Sequence, residues 1–395
     1  MKAGFSPLDE ALGLLPGSTL TPWLIEGIVR LGSGLPFEQV PSMLHFFTGV
    51  WVSAETARRL TEMAGRVQLA RETAAVAQLE RALPEPPVGP VLQQLSADGA
   101  MVPLVGGVWA EVKTLAIGTV TSPARAGMPR ATDISYVARL SDAVSFGWQA
   151  TLETQRRGTT TAGTVVAVMD GAVWLQDFVD LQRPDAVRIL DFPHAVEHLG
   201  VVAQAVFGPG TAAASDWLGQ QAHTLRHGDP DDVLACLAAL EVDPTTAAAA
   251  VPVVARCRTY LTGRRCQIAY AHFAAAGYPL GSGMVESANK LLVEARLKGS
   301  GMHWARANVN PLLALRCLER NGRWDTEWPA LWTAWRGQRR EQRETQRTVS
   351  QPVLAAVPQP AGMPPARSPR PKQVLDGKPT ADHCWRRFSL RHAKS

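Results

Sequence analysis

The stretch from Thr164 to His194, TVVAVMDGAVWLQDFVDLQRPDAVRILDFPH, sets the terms for the whole chain. Val165 to Met169 is an unbroken apolar run, which reads as a buried strand, and it stops at Asp170-Gly171. Ala172 to Gln182 has helix character, and a second short strand is predicted over Val187 to Leu190, ending on Asp191. Strand, helix and strand in this order predict a right-handed crossover between two parallel strands. A carboxylate at the C-terminal end of a buried strand sits at a sheet rim, next to a cleft. Asp170 equally suits a plain cap for the following helix. Its chemical meaning therefore depends on the other acids in the chain.

Ahead of this stretch the pattern is first helical, then extended. Helices are predicted near Leu8–Leu14, over Thr21–Leu31 and over Phe37–Phe47, with Pro41 awkward in the third. TGVWVS then leads into AETARRLTEMAG, with Ser53 placed as an N-cap and Arg58 and Arg59 early on the helix it opens. Helix, tight turn and capped basic helix fit a DNA-reading helix-turn-helix and fit a plain helical hairpin as well. The helical pattern runs to about Ala82, and PEPPVGP at 84–90 closes an N-terminal helical domain, 1–90. From Val91, strands are predicted around Leu95–Leu104, interrupted by Asp98-Gly99, and over 108–120 and 134–140, followed by a helix over 141–158. Three strands, a helix, a strand, a crossover helix and a strand make a mixed α/β sheet with helices on its faces, an order that matches the ribonuclease H-like fold.

Residues 193–276 are rich in Ala and Leu at helical period and read as a helical insertion, with basic residues at Arg256, Arg258, Arg264 and Arg265. The sheet domain thus divides into 91–192 and 277–335. Its second part holds GYPLGSGMVESANKLLVEARLKGSGMHW, in which a helix runs from Ser282 to about Leu297 with Glu286 near its start. Lys290 lies at i+4 from Glu286, and Arg296 and Lys298 follow. Trp324, Trp328, Trp332 and Trp335 recur at helical spacing, which fits a packed stripe and, less commonly, a surface for base stacking. The tail, 336–395, is basic and Pro-rich, and its 350–381 portion has the composition of a disordered segment.

Asp98 on the first strand, Asp170 on the fourth and Glu286 on the late helix form a constellation. The first and fourth strands of a ribonuclease H-like sheet are neighbours, so their carboxylates would converge, and the late helix packs on the same edge. Three carboxylates in one place repel unless cations neutralise them. Hard oxygen ligands suit Mg²⁺ or Mn²⁺, and two such ions about 3.5–4 Å apart serve phosphodiester chemistry.

The blocks SADGAMVPLVGGVWAEVKTLAIG, VVAVMDGAVWLQDF, ILDFPHAVEHL, GYPLGSGMVESANKLLVEARLKGSGMHW and LRCLERNGRWDTEW resemble the ISKra-type insertion-sequence transposases of the Mutator-like D-D-E superfamily. The resemblance covers roughly residues 4–335. It implies a bacterial transposase with a ribonuclease H-like core, cutting at transposon ends and joining them to target DNA. Asp98, Asp170 and Glu286 are then the catalytic, metal-binding triad, with one ion on Asp98 and Asp170 and the other shared with Glu286. Asp191 and His194 match an accessory Asp-x-x-His motif, read as structural or DNA-proximal. Arg58 and Arg59 would read end sequence, while Lys290, Arg296 and Lys298 would hold phosphates. The implied partners are double-stranded DNA and further copies of the chain, as a dimer or higher oligomer. Family members often carry cysteine pairs before a segment like GFSPLDEALGLLPG. That segment opens at Gly4 here with no cysteine ahead of it, a departure that bears on end recognition. A ribonuclease H-like nuclease or resolvase, and a truncated non-catalytic DNA-binding derivative, are the alternatives.

Composition agrees with a polyanionic partner without requiring one. Forty Lys and Arg face 35 acidic residues, for a net charge of +5. Five scattered cysteines without a C-x-x-C pair suggest a reducing compartment and neither a disulfide framework nor a zinc ribbon. No apolar run is long enough for a membrane span, so a cytoplasmic, nucleoid-associated protein is expected.

Overall fold

The computed structural model describes residues 11–82, 84–121 and 129–350, with side chains as far as 346. The expected lead-in helix near Leu8–Leu14 and the 350–381 tail fall largely or wholly outside those residues. Five strands, β1 (Leu92–Leu104), β2 (Val108–Thr121), β3 (Arg130–Arg139), β4 (Thr164–Met169) and β5 (Val187–Leu190), form one sheet in the order β3-β2-β1-β4-β5. The β1–β2 and β2–β3 pairs are antiparallel, and β1–β4 and β4–β5 are parallel. The chain is therefore an α/β protein built on a mixed sheet.

Side-chain alternation explains the layers. Along β4, Val165, Ala167 and Met169 face a core shared with two helices on one side, α4 (Ala143–Arg156) and α5 (Val173–Gln182). Val166 and Val168 face the other side. A strand covered on both faces has no polar position to spare, hence its continuous apolar run. β1 departs from expectation. Asp98-Gly99 does not interrupt it, and the ladder to β2 passes through Asp98↔Thr114 and Gly99↔Lys113. The glycine serves close approach instead, since a Cβ there would lie 2.2 Å from Glu111 Oε1.

From Phe192 to Ala275 the chain is helical: α6 (Phe192–Phe207), α7 (Ala212–His227), α8 (Pro230–Val242), α9 (Val251–Thr262) and α10 (Tyr270–Ala275), with a 3₁₀ turn at Arg265–Gln267. These helices bury their apolar faces against Val166, Val168 and Ile189. The chain then re-enters the sheet domain through α11 (Gly283–Ala288), a π-helical turn (Asn289–Glu294) and α12 (Ala295–Leu297). Together with α13 (Arg306–Arg320), these cover the β1–β2 hairpin.

Edge strand β3 would expose unpaired backbone, and α13 supplies partners for it. Asn310 accepts from Leu140 N at 2.7 Å and donates to Leu140 O at 3.1 Å. Asn321, just past the helix end, does the same for Tyr136 at 2.8 and 3.0 Å.

The N-terminal helices are α1 (Pro22–Gly34), α2 (Val40–Thr48) and α3 (Ala54–Arg81). Pro41 stands in the first turn of α2, where its missing N–H costs nothing, so the helix starts later than Phe37. Ile25, Ile28, Leu44 and Leu60 share one core with Leu315 of α13 and with Trp324, Trp328 and Trp335 of α14 (Trp324–Ser350), so the tryptophan stripe is packing. None of the described helices is long and apolar enough to cross a membrane.

The α3–α13 crossing is tight at Gly65, where an added Cβ would lie 2.4 Å from Pro311 O and 2.6 Å from Pro311 C. Gly65→Ala should therefore destabilise the fold by about 1–3 kcal/mol through overpacking against immobile backbone. Urea denaturation checks it as a lowered midpoint with unchanged slope.

Candidate active site

Strand register puts three aspartates in one row. Leu95 of β1 pairs with Ala167 of β4, and Asp98 and Asp170 each lie three residues further along. Met169 pairs with Leu190 of β5, and Asp170 and Asp191 follow directly. β4 and β5 end there while β1 runs on, so Asp98 within β1 and Asp170 and Asp191 just past their strands collect at one edge of the sheet. Glu286, exposed on α11, faces the same place: Asp98, Asp170, Asp191, His194, Glu197 and Glu286 all line a cleft of about 200 Å³. That lining holds five carboxylates and no lysine or arginine.

Each acid is held differently. Asp98 Oδ1 accepts from Gly99 N at 2.7 Å, and Oδ2 accepts from Asn289 Nδ2 at 2.8 Å. Burial pushes its carboxyl above the usual range, and the charges of Asp170 and Glu286 push the same way, against those two hydrogen bonds. Asp170 Oδ1 accepts from Ala172 N at 2.8 Å, so the acid organises the turn ahead of α5 without being its N-cap, which is Ala172. Among the described residues, no three His, Cys, Asp or Glu side chains are drawn close enough to hold a metal ion as they stand. The acids share a cleft and a field rather than a finished coordination sphere.

Asp191 is buried, and its carboxylate is spent on backbone: it accepts from Ser282 N at 2.7 Å and from His194 N at 3.1 Å. His194 caps nothing with its ring. Its Nδ1 lies 3.6 Å from Glu197 Oε2, and its ring meets His198 edge to face at 4.9 Å.

The basic candidates separate sharply. Arg296 is 1 % exposed and cannot reach DNA, which corrects its reading as a phosphate contact. Its guanidinium lies over Phe37 at 4.5 Å and Trp304 at 5.0 Å and donates to Gly32 O at 3.2 Å. Contact with two aromatic rings makes a buried cation tolerable, and burial lowers its pKa to about 10. Arg58 is bound at 2.7 Å to Glu55 and at 2.9 Å to Glu62 on its own helix. Arg59 is exposed. Residues 31–57 contain no lysine or arginine, and the surface before α3 is aromatic, with Phe46 80 %, Phe47 71 % and Trp51 63 % exposed. Lys290 is exposed, and Lys298 pairs with Glu294 at 2.8 Å.

Sequence reasoning missed Asn289 and Arg316. Asn289 is buried, and its Oδ1 has no partner. Arg316, on α13, donates to Leu292 O at 2.6 Å, to Leu291 O, and to Ser33 O at 2.7 Å. It thereby steadies the π turn that aims Asn289 at Asp98. Neither signal is local: one needs the widened turn and the other a helix two elements away. No protein-family model matches the chain, and no curated protein matches it.

Two outcomes follow from these contacts. In Asn289→Ala, Asp98 loses a donor to its ionised form, so its carboxyl should titrate at higher pH than in the parent. A ¹³C NMR titration reads this, and an unmoved or lowered value would show that the bond does not form. Arg296→Ala should cost about 2–4 kcal/mol, from lost cation–π contact and an unpaired Gly32 carbonyl. Urea denaturation reads this as a lowered midpoint.

Proposed function

We propose that the chain is a D-D-E transposase of the ISKra type: a metal-dependent enzyme that cuts DNA at transposon ends and joins the freed 3′ ends to target DNA. The observation that carries the reading is the single cleft shared by Asp98, Asp170 and Glu286, with no cation of the protein's own in its lining. The strand order β3-β2-β1-β4-β5 supports a ribonuclease H-like core, and the family resemblance of the sequence blocks supplies the reaction.

The donor set fits oxygen-preferring divalent ions. Its acids are carboxylates, and Asp98 is raised by burial and by two negative neighbours, a penalty that positive charge in the cleft removes. Two Mg²⁺ or Mn²⁺ ions, when bound, would activate the attacking oxygen and stabilise the leaving one. Asp98 from within β1 and Asp170 from the end of β4 would hold one side of the site, and Glu286 would close it from α11. Asn289 and Gly99 fix the Asp98 carboxylate in place while leaving lone pairs on both oxygens for a cation. Lys290 and Lys298, on the glutamate's own helical segment, approach the phosphates that flank the scissile bond. Arg59 is the remaining exposed candidate on α3 for reading end sequence, provided Arg58 stays with its two glutamates.

The test is a joining reaction with DNA from either side of the gene, pre-cleaved and labelled as candidate transposon ends, and a supercoiled plasmid target. Joined product should form with Mg²⁺ or Mn²⁺. Asp98→Ala, Asp170→Ala and Glu286→Ala should each lower it by more than about 100-fold, since even outer-shell partners of a metal site cost 10–100-fold. DNA retention on a filter should stay close to that of the parent. Cleavage without joining would make the chain a nuclease or resolvase, and binding without either would make it a non-catalytic derivative.

A further inference from the structure

Gly171 follows Asp170 with φ +82, and a Cβ there would lie 2.6 Å from Arg264 Nε and 2.8 Å from the Tyr260 hydroxyl. Both atoms belong to the helical insertion, and both side chains are there to bond. The Tyr260 hydroxyl donates to Asp170 O at 2.6 Å, and Arg264 Nη2 donates to Gly171 O at 2.6 Å. The Arg264 guanidinium lies 3.9 Å over the Tyr260 ring, and His198 of α6 stacks on that ring at 4.1 Å.

These contacts act on the carboxylate through the peptide planes beside it. The carbonyl held by Tyr260 belongs to the plane joining Asp170 to Gly171. The carbonyl held by Arg264 belongs to the plane joining Gly171 to Ala172. The N–H of that second plane is the Ala172 donor that binds Asp170 Oδ1 at 2.8 Å. A guanidinium on the carbonyl end polarises the same amide whose N–H grips the carboxylate. Arg264 thus strengthens that grip without occupying a carboxylate lone pair, as a direct salt bridge would. Past Met169 the ladder to β4 has ended, so Asp170 has no strand partner to fix it.

We infer that Tyr260 and Arg264 are positioning residues for Asp170, and that the insertion is thereby part of the cation site rather than an appended module. This rests on reading the cleft as a divalent-cation site.

The test titrates Mn²⁺ into the full chain and follows free Mn²⁺ by electron paramagnetic resonance. The variants are Tyr260→Phe, Arg264→Met, the double variant and Asp170→Asn, with Arg258→Ala as control because its guanidinium is tied to Glu241 at 2.7 Å. The double variant should bind Mn²⁺ about 10–100-fold more weakly, as loss of outer-shell support does, with Tyr260→Phe in between and Arg258→Ala like the parent. The Mg²⁺ concentration for half-maximal cleavage should rise in step, and excess Mg²⁺ should restore the rate, which a merely unstable variant would not show. Parent-like Mn²⁺ affinity in the double variant, with loss in Asp170→Asn, overturns the inference and leaves the cation site standing. Parent-like affinity in Asp170→Asn as well removes the cation site itself, and the proposed function with it. If the double variant fails to fold, Tyr260→Phe decides, since it keeps the ring and its stacking; unchanged affinity there overturns the inference.

Discussion

The Asp191 carboxylate is the tie on which the site depends. The chain leaves the sheet at Leu190 and comes back at Ser282, and one side chain accepts hydrogen bonds from both ends of that excursion. Phe192 N donating to Leu280 O at 3.0 Å and the Tyr270 hydroxyl donating to Leu190 O at 2.8 Å close the same neck. Glu286 lies one turn past Ser282, so its distance from Asp98 and Asp170 is set by this closure. A buried carboxylate is tolerable here because two backbone donors satisfy its charge, and those donors would otherwise be orphans at the starts of α6 and α11. The acid nearest the candidate triad in sequence logic thus does mechanical work.

A second constraint comes from behind the glutamate helix. Two buried arginines, Arg296 and Arg316, stand close enough for Arg316 to lower the pKa of Arg296. Two like charges in a core are costly. Both guanidiniums spend their donors on main-chain carbonyls of α1 and, for Arg316, of the π turn. The N-terminal helices are therefore fastened to the segment that carries Glu286 and Asn289, and they share a core with α13 and α14.

What the sequence revealed follows from which signals are local. β4 was legible because a strand buried on both faces needs a continuous apolar run, whereas β5, which carries Arg188, was legible from its place after the crossover helix, and the aspartates that follow the two strands were legible with them. The convergence of Asp98 with Asp170 needed only strand order and register. Asn289 was hidden because a π turn shifts the phase of every side chain after Ala288, so a regular helical projection does not place it against β1. Arg296 was misread because an arginine between Glu294 and Lys298 looks like a solvated face. Its burial depends on Phe37, far away in the chain, and on Trp304 beyond a glycine turn. Asp98-Gly99 looked like a break because glycine commonly ends strands, whereas here the missing side chain admits Glu111.

Charge distribution limits how a polyanion could approach the cleft. The chain carries a net +5, yet several of its arginines are already committed inside the fold. Arg258 pairs with Glu241 and Arg265 with Asp231, Arg264 serves the Asp170 turn, and Arg296 and Arg316 are buried. A composition-level excess of positive charge therefore overstates the surface available to phosphate. Of the two lysines that follow Glu286, Lys290 is exposed and Lys298 pairs with Glu294 at 2.8 Å. A polyanion brought to a cleft lined by five carboxylates meets repulsion there. On the proposed reading, cations would enter the cleft before, or together with, the DNA, which would couple metal binding to seating of the scissile phosphate rather than to DNA binding as a whole.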